Sequence, residues 1–347
     1  MGLFSSQIAT KQMVPLCRQI STAYEAGIPL IRTFDILAAQ HKGGRLRQVI
    51  LEMNDAIRGG ATLEQAVRAQ SRYLSPFFIA LLASGEQGGR LDVMFRDLAE
   101  YFEDRMEMQR RIVRALIYPC IQLAAAWFLG TFALRMLPKI SELTSGRGSS
   151  PFDLAGYFEE YAIFQAKAMA VFGGVFVACV ILSRMGLFGW IRGLFTTHIW
   201  PLSGVTRKFA LARFFRSFSL LLGSGMGIDH CIENAAAVTA NPYIERDLLK
   251  AVPGVKNGQM LVEAFASSRY LTPTAREMIL VGEQSGKLED SLRKVSEYHL
   301  DEATHAVRVA TTALGVLIVL AVALLIGYIV ITFYQGFYGG MMDALGI

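Results

Sequence analysis

Three long runs without a charged side chain constrain this sequence more than any other feature. Residues 115–134 lie between Arg114 and Arg135, residues 168–183 between Lys167 and Arg184, and residues 309–342 between Arg308 and Asp343. A hydrocarbon layer about 30 Å thick is crossed by about 20 apolar residues in a helix, and inside it each backbone group must bond within its own segment. The first run has that length and the third exceeds it. The middle run is shorter, but Lys167 and Arg184 can snorkel, which extends it to 164–185. The spacing predicts membrane helices over 115–137, 164–185 and 309–334. A hydrophobic fraction of 53% against 18% charged residues fits a membrane protein better than a soluble one.

Charge orients the spans, because short loops rich in Lys and Arg stay on the cytoplasmic side. Residues 1–114 carry 15 basic and 12 acidic side chains, and residues 184–308 carry the same numbers. Between residues 138 and 166 the balance reverses, with Lys139 and Arg147 against Glu142, Asp153, Glu159 and Glu160. The reading is two cytoplasmic parts, 1–114 and 186–308, a periplasmic loop over 138–163 and a periplasmic tail over 335–347. The amino terminus is inside and the carboxyl terminus outside. No signal peptide is expected, since residues 1–29 are amphipathic and charged. Basic residues alternate with acids, and no run exceeds Arg110-Arg111 or Arg207-Lys208, so nucleic acid is not an expected partner. Cys17, Cys120, Cys179 and Cys231 form no metal-ligand or disulfide spacing.

Residues 281–292, VGEQSGKLEDSL, look at first like a phosphate-binding loop. Such a loop needs four residues between its glycines and a hydroxyl residue after the lysine to reach Mg²⁺. Only three residues separate Gly282 from Gly286, Leu288 follows Lys287, and Glu283 places a carboxylate where phosphates would sit. The stretch instead has a twin in residues 84–95, SGEQGGRLDVMF, 197 positions earlier.

The twin belongs to a longer repeat. At an offset of 198, Arg18-x-x-Ser21 meets Arg216-x-x-Ser219, Ala26-Gly27 meets Ser224-Gly225, and Gly60-x-x-Leu63-x-x-Ala66 meets Gly258-x-x-Leu261-x-x-Ala264. After one lost residue the offset is 197, where Arg72-Tyr73-Leu74-x-Pro76 meets Arg269-Tyr270-Leu271-x-Pro273. Apolar residues recur at helical spacing, as in Leu91, Phe95, Leu98 and Phe102 against Leu288, Leu292, Val295 and His299. The fold class expected is an all-α membrane protein: two homologous cytoplasmic antiparallel bundles of about six helices each, plus three transmembrane helices. Each glycine corner would end one helix near Ser84 or Val281, turn through a positive φ, and start the next at Leu91 or Leu288. Glu86 and Glu283 could then accept hydrogen bonds from free amides of that following helix.

These residues resemble the type II secretion F-domain family, inner-membrane platform proteins of type II secretion and type IV pilus machines. The resemblance rests on the two corners, with Gly85, Glu86, Gly89 and Leu91 in one and Gly282, Glu283, Gly286 and Leu288 in the other. It rests also on Arg111-Ile-Val-Arg-Ala-Leu-Ile-Tyr118-Pro119 before the first span and Pro138 after it. The third set is Pro201-Leu-Ser-Gly204, Arg213-Phe214-x-Arg216 and Ser224-Gly225. It implies a bacterial inner-membrane protein that couples a cytoplasmic hexameric ATPase to insertion of pilin or pseudopilin subunits into a filament. The partners implied are that ATPase, the pilins, other inner-membrane assembly proteins, membrane lipid and further copies of the chain, as a dimer or higher. No cofactor, metal or catalytic residue is implied, and the chain would not be an enzyme. His41, His198, His230, His299 and His305 show no ligand spacing, and His299 replaces Phe102 as a core residue. The competing class is a transporter or channel subunit, which would want polar groups deep in the spans. Only Arg135 and Lys167 lie in or beside them.

Overall fold

The computed structural model describes residues 7–41, 43–144, 154–184 and 202–345, and among these every regular element is a helix. They form two compact units. One gathers Met1–Arg111 with Ile191–Ala306, and the other Ile112–Trp190 with Val307–Ile347.

In the first unit the amino-terminal copy of the repeat folds as α1 (Thr10–Glu25), α2 (Leu30–Gln40), α3 (Arg45–Arg58), α4 (Leu63–Ala69), α5 (Pro76–Gln87) and the start of α6 (Leu91–Thr144). The second copy supplies α8 (Leu202–Gly223), α9 (Ile228–Ala237), α10 (Pro242–Leu248), α11 (Val252–Lys256), α12 (Leu261–Ala264), α13 (Pro273–Ser285) and the start of α14 (Leu288–Leu345). The equivalent helices α5 and α13 use the same start signal, a hydroxyl cap followed by proline. Ser75 Oγ accepts the Phe78 amide and Thr272 Oγ1 accepts the Ala275 amide, each at 3.2 Å. The copies differ at the third helix. Where α3 is continuous, the second copy has α10, a 3₁₀ turn at Leu249–Ala251, and α11. Pro253 explains the break, because it has no N–H for the Leu249 carbonyl and its ring crowds that oxygen.

Both copies share one apolar core. Phe34, Phe77, Phe78 and Phe95 are fully buried in the first, and Phe214, Phe215, Phe218 and Phe265 in the second. The helical stripes read from the sequence point inward: Phe95, Leu98, Phe102, Leu292, Val295 and His299 are all buried. His299 packs flat against Phe215, ring centroids 5.9 Å apart, and shares a hydrogen bond with Thr272 Oγ1 at 3.1 Å.

The second unit contains parts of α6 and α14 with α7 (Leu154–Arg184). These three helices are long and apolar enough to cross a membrane. They outlast the expected spans: α6 continues to Thr144, α7 begins at Leu154 within the expected loop, and α14 reaches Leu345 through the expected tail. No proline interrupts α14 there, and its glycines alone do not end it. Small residues bring α6 and α14 close, since a Cβ at Gly130 would sit 2.8 Å from Leu325 Cδ2.

Candidate functional site

The glycine corners divide two tasks between their glycines. Gly89 and Gly286 adopt φ of +65° and +69°, the left-handed conformation that ends α5 and α13. Gly85 and Gly282 do something else. They lie inside the helices, one turn before the end, where a Cβ would strike the Met94 side chain in one copy and Ser291 Cβ at 2.6 Å in the other. The first glycine therefore lets α5 approach α6, and α13 approach α14, closely. Both helices thus run past Ser84 and Val281, further than the sequence suggested. Leu91 and Leu288, half-buried, open the next helices against the core.

The carboxylates also differ from expectation. Glu86 Oε1 and Oε2 accept the amides of Leu63 and Glu64, both at 2.7 Å. Glu283 Oε1 accepts the Leu261 amide at 2.7 Å. These amides belong to α4 and α12, the helices before the corner. Antiparallel pairing of α4 with α5 sets the amino terminus of one beside the carboxyl end of the other, where a carboxylate also meets the helix dipole. In α4 the cap is doubled by a Thr62–Gln65 capping box, whereas α12 has no side-chain cap of its own and Glu283 Oε2 is buried without a partner.

The two copies meet along a seam between α5–α6 and α8–α9. Ser84 Oγ donates to the Ser224 carbonyl at 3.0 Å, and Arg90 Nη1 to that of Gly223 at 3.3 Å. Arg216 lies 3.7 Å from Glu100 and 3.5 Å from Asp104. Its repeat counterpart, Arg18, instead forms a two-pronged pair with Glu103 of its own copy, both contacts at 2.7 Å. A cavity of about 230 Å³ opens on the seam, lined by Tyr101, Asp104, Arg213 and Arg216 among others. Arg213 donates through Nη2 to the Thr239 carbonyl just beyond α9. Burial, with the Arg105 cation nearby, pushes its guanidinium down to about 10, which leaves it charged at neutral pH. Gly225, at φ +88°, turns the chain from α8 toward α9 as Gly27 (φ +74°) does between α1 and α2.

The remaining sequence-marked residues stand apart from the corners. Tyr118 is exposed and its hydroxyl accepts from Gln122 Nε2 at 3.0 Å. Helix α6 passes through Pro119 and Pro138 without interruption. Pro201 lies outside the described residues. A polar cluster between α6 and α7 went unread: Trp127 Nε1 donates to Gln165 Oε1 at 3.0 Å, and Gln165 Nε2 donates to Thr131 Oγ1 at 2.9 Å and the Tyr161 hydroxyl at 2.7 Å. Its signal was a glutamine and a threonine within apolar surroundings. The cluster bonds to itself and ties the helices together. Among the described residues no group of His, Cys, Asp and Glu could hold a metal.

Comparison with known proteins gives this arrangement a family. The family model described as type II secretion system (T2SS), protein F matches residues 16–137 and again 214–336, the same 198-residue step that relates the two copies. The type IV pilus assembly protein PilC of Pseudomonas aeruginosa is 23% identical over 91% of this chain and 86% of its own length. The type II secretion system protein F of Xanthomonas campestris is 28% identical over 96% and 84%, and that of Vibrio cholerae 24% over 94% and 81%. With its family model matched over well over half of its length, the chain belongs to the type II secretion system protein F family.

Proposed function

We propose that this chain is the inner-membrane platform of a filament-assembly machine, coupling a cytoplasmic hexameric ATPase to insertion of pilin or pseudopilin subunits. The observation that carries the reading is the double family match spanning both copies, joined to relatives named for type IV pilus assembly and for type II secretion. In this reading residues 1–114 and 186–308 are cytoplasmic, 115–137, 164–185 and 309–334 span the membrane, and 138–163 and 335–347 face the periplasm. The positive bias of both large segments supports the amino terminus inside. The corners and the seam then serve as a scaffold that holds two partner-facing bundles, and the chain itself performs no chemistry. Other inner-membrane assembly proteins, membrane lipid and further copies of the chain complete the proposed partners.

Deleting the gene tests this. Surface filaments or secreted substrate should disappear while pilin and ATPase levels stay unchanged, and a plasmid copy should restore them. Normal filaments and normal secretion in the deletion strain would rule the reading out.

A further inference from the structure

The seam joins unlike faces, and each copy carries both. The first copy offers α5–α6, and the second meets it with α8–α9. By the repeat register the second copy has its own version of the first face, on α13–α14, and the first copy has its own version of the second, on α1–α2. Exposure separates the used faces from the unused ones. Tyr101 at the seam is 4% exposed and its counterpart Tyr298 is 43% exposed; Ser84 is half-buried, and its counterpart Val281 is 61% exposed. Ser217 is fully buried while Gln19 is exposed.

The charges that fasten the seam are repeated on the free faces. Arg216 corresponds to Arg18, Glu100 to Glu297, and Asp104 to Asp301. Arg90, which reaches Gly223, corresponds to Lys287, and Gly223 to Glu25, an acid that lies 3.9 Å from Arg96 and would gain Lys287 as a second cation. Lys294 replaces Asp97, so two acids and one cation face Arg18 in place of three acids, and Glu297 already pairs with Arg293 at 3.4 Å, leaving Asp301 as the acid the docked Arg18 meets first. A groove of about 370 Å³ lies open on α1–α2, lined by Arg18, Thr22, Ala26 and Ile36 among others. Arg18 is already held by Glu103 in a two-pronged pair, but its side chain is 62% exposed, so a docked carboxylate can share the guanidinium.

A contact between unlike faces does not use itself up: it leaves one face of each kind free for the next molecule. We propose that a second copy of this chain docks its α13–α14 face on the α1–α2 face, Arg18 to Glu297 and Asp301, repeating between chains the seam that joins the two copies within one.

Cysteine pairing in membranes tests the geometry on the full chain, with the exposed Cys120 and Cys179 changed to alanine. The counterparts of Ser224 and Ser84, whose seam atoms lie 3.0 Å apart, are Ala26 and Val281. A mixture of Ala26→Cys chains and Val281→Cys chains should give a cross-linked dimer on oxidation that neither variant gives alone. Cross-linking of Ala26→Cys with itself, or no cross-linking in the mixture, overturns the proposal. Charge exchange gives a second test in the purified chain. Arg18→Glu should weaken self-association on the order of tenfold, and mixing it with a Glu297→Arg, Asp301→Arg chain should restore it. If the mixture associates no better than Arg18→Glu alone, the pairing is wrong.

Discussion

Glu86 stands 23 residues from Leu63 in the chain, yet its carboxylate takes the Leu63 amide at 2.7 Å and, through its other oxygen, the next amide as well. Glu283 repeats the contact with Leu261 but satisfies only one amide.

Removing these carboxylates should therefore cost unequal amounts. Glu86→Ala leaves two amides without their acceptor, and a part-buried group stripped of its partner costs about 1–3 kcal/mol. Glu283→Ala uncovers one amide and also removes a buried, unpartnered oxygen, so its loss should be the smaller. Thermal melts of the full-length protein in detergent check the order; equal losses would mean the caps are not what these residues contribute.

The two glycines of a corner should fail differently. Gly286→Ala forces an L-residue into the left-handed region, at about 1–2 kcal/mol. Gly85→Ala instead pushes a methyl group into Met94, so Met94→Ala should recover part of the lost melting temperature. No change at Ser291 should rescue Gly286→Ala, because its cost is in the backbone. Rescue of both, or of neither, would contradict the division of tasks.

Arg213 should not tolerate lysine. A lysine keeps the charge but loses the flat fork that reaches the Thr239 carbonyl from a largely buried position. Arg213→Lys should lower stability by about 1–3 kcal/mol, with hydrogen exchange rising first around Ala236–Thr239. Uniform exchange across the second copy would place the loss elsewhere.

Asp247 should give the second copy an acid-sensitive step. Burial raises its pKa, but Lys250 Nζ at 2.9 Å, Ser268 Oγ at 2.7 Å and the amides of Tyr270 and Arg269 outweigh this and hold the carboxyl below its ordinary value. A lowered folded-state value means stability that is present above the unfolded pKa and is lost as pH falls through the folded one. The loss should begin below about pH 4. Asp247→Asn should be less stable at neutral pH and lose less on acidification, as read from melts at a series of pH values.

How much of this was legible in the sequence follows the range of each interaction. The repeat showed itself through side chains at fixed offsets, and the helical stripes of Phe95 and Leu292 announced a core. That the corner turns through a positive φ is local and legible, but which glycine does it is not: Gly85 stays helical and Gly89 turns. The partner of Glu86 is not local: the co-repetition of Gly60-x-x-Leu63 with the corner was the only hint, and nothing in the spacing says which helix ends meet. Arg18 and Arg216 occupy equivalent positions yet bind acids of different provenance, because Glu103 has only Leu300 as its counterpart while Glu100 and Asp104 come from the other copy. Pairwise identity within the repeat could not reveal that difference.

Pro253 makes the two halves mechanically unequal. An uninterrupted helix such as α3 resists bending along its whole length, whereas one with a missing rung yields there first. In the second copy any bend of this segment costs least between Leu249 and Val252, whereas α3 has no such point. The duplicated scaffold therefore keeps an unbroken helical ladder in one copy and a missing rung in the other.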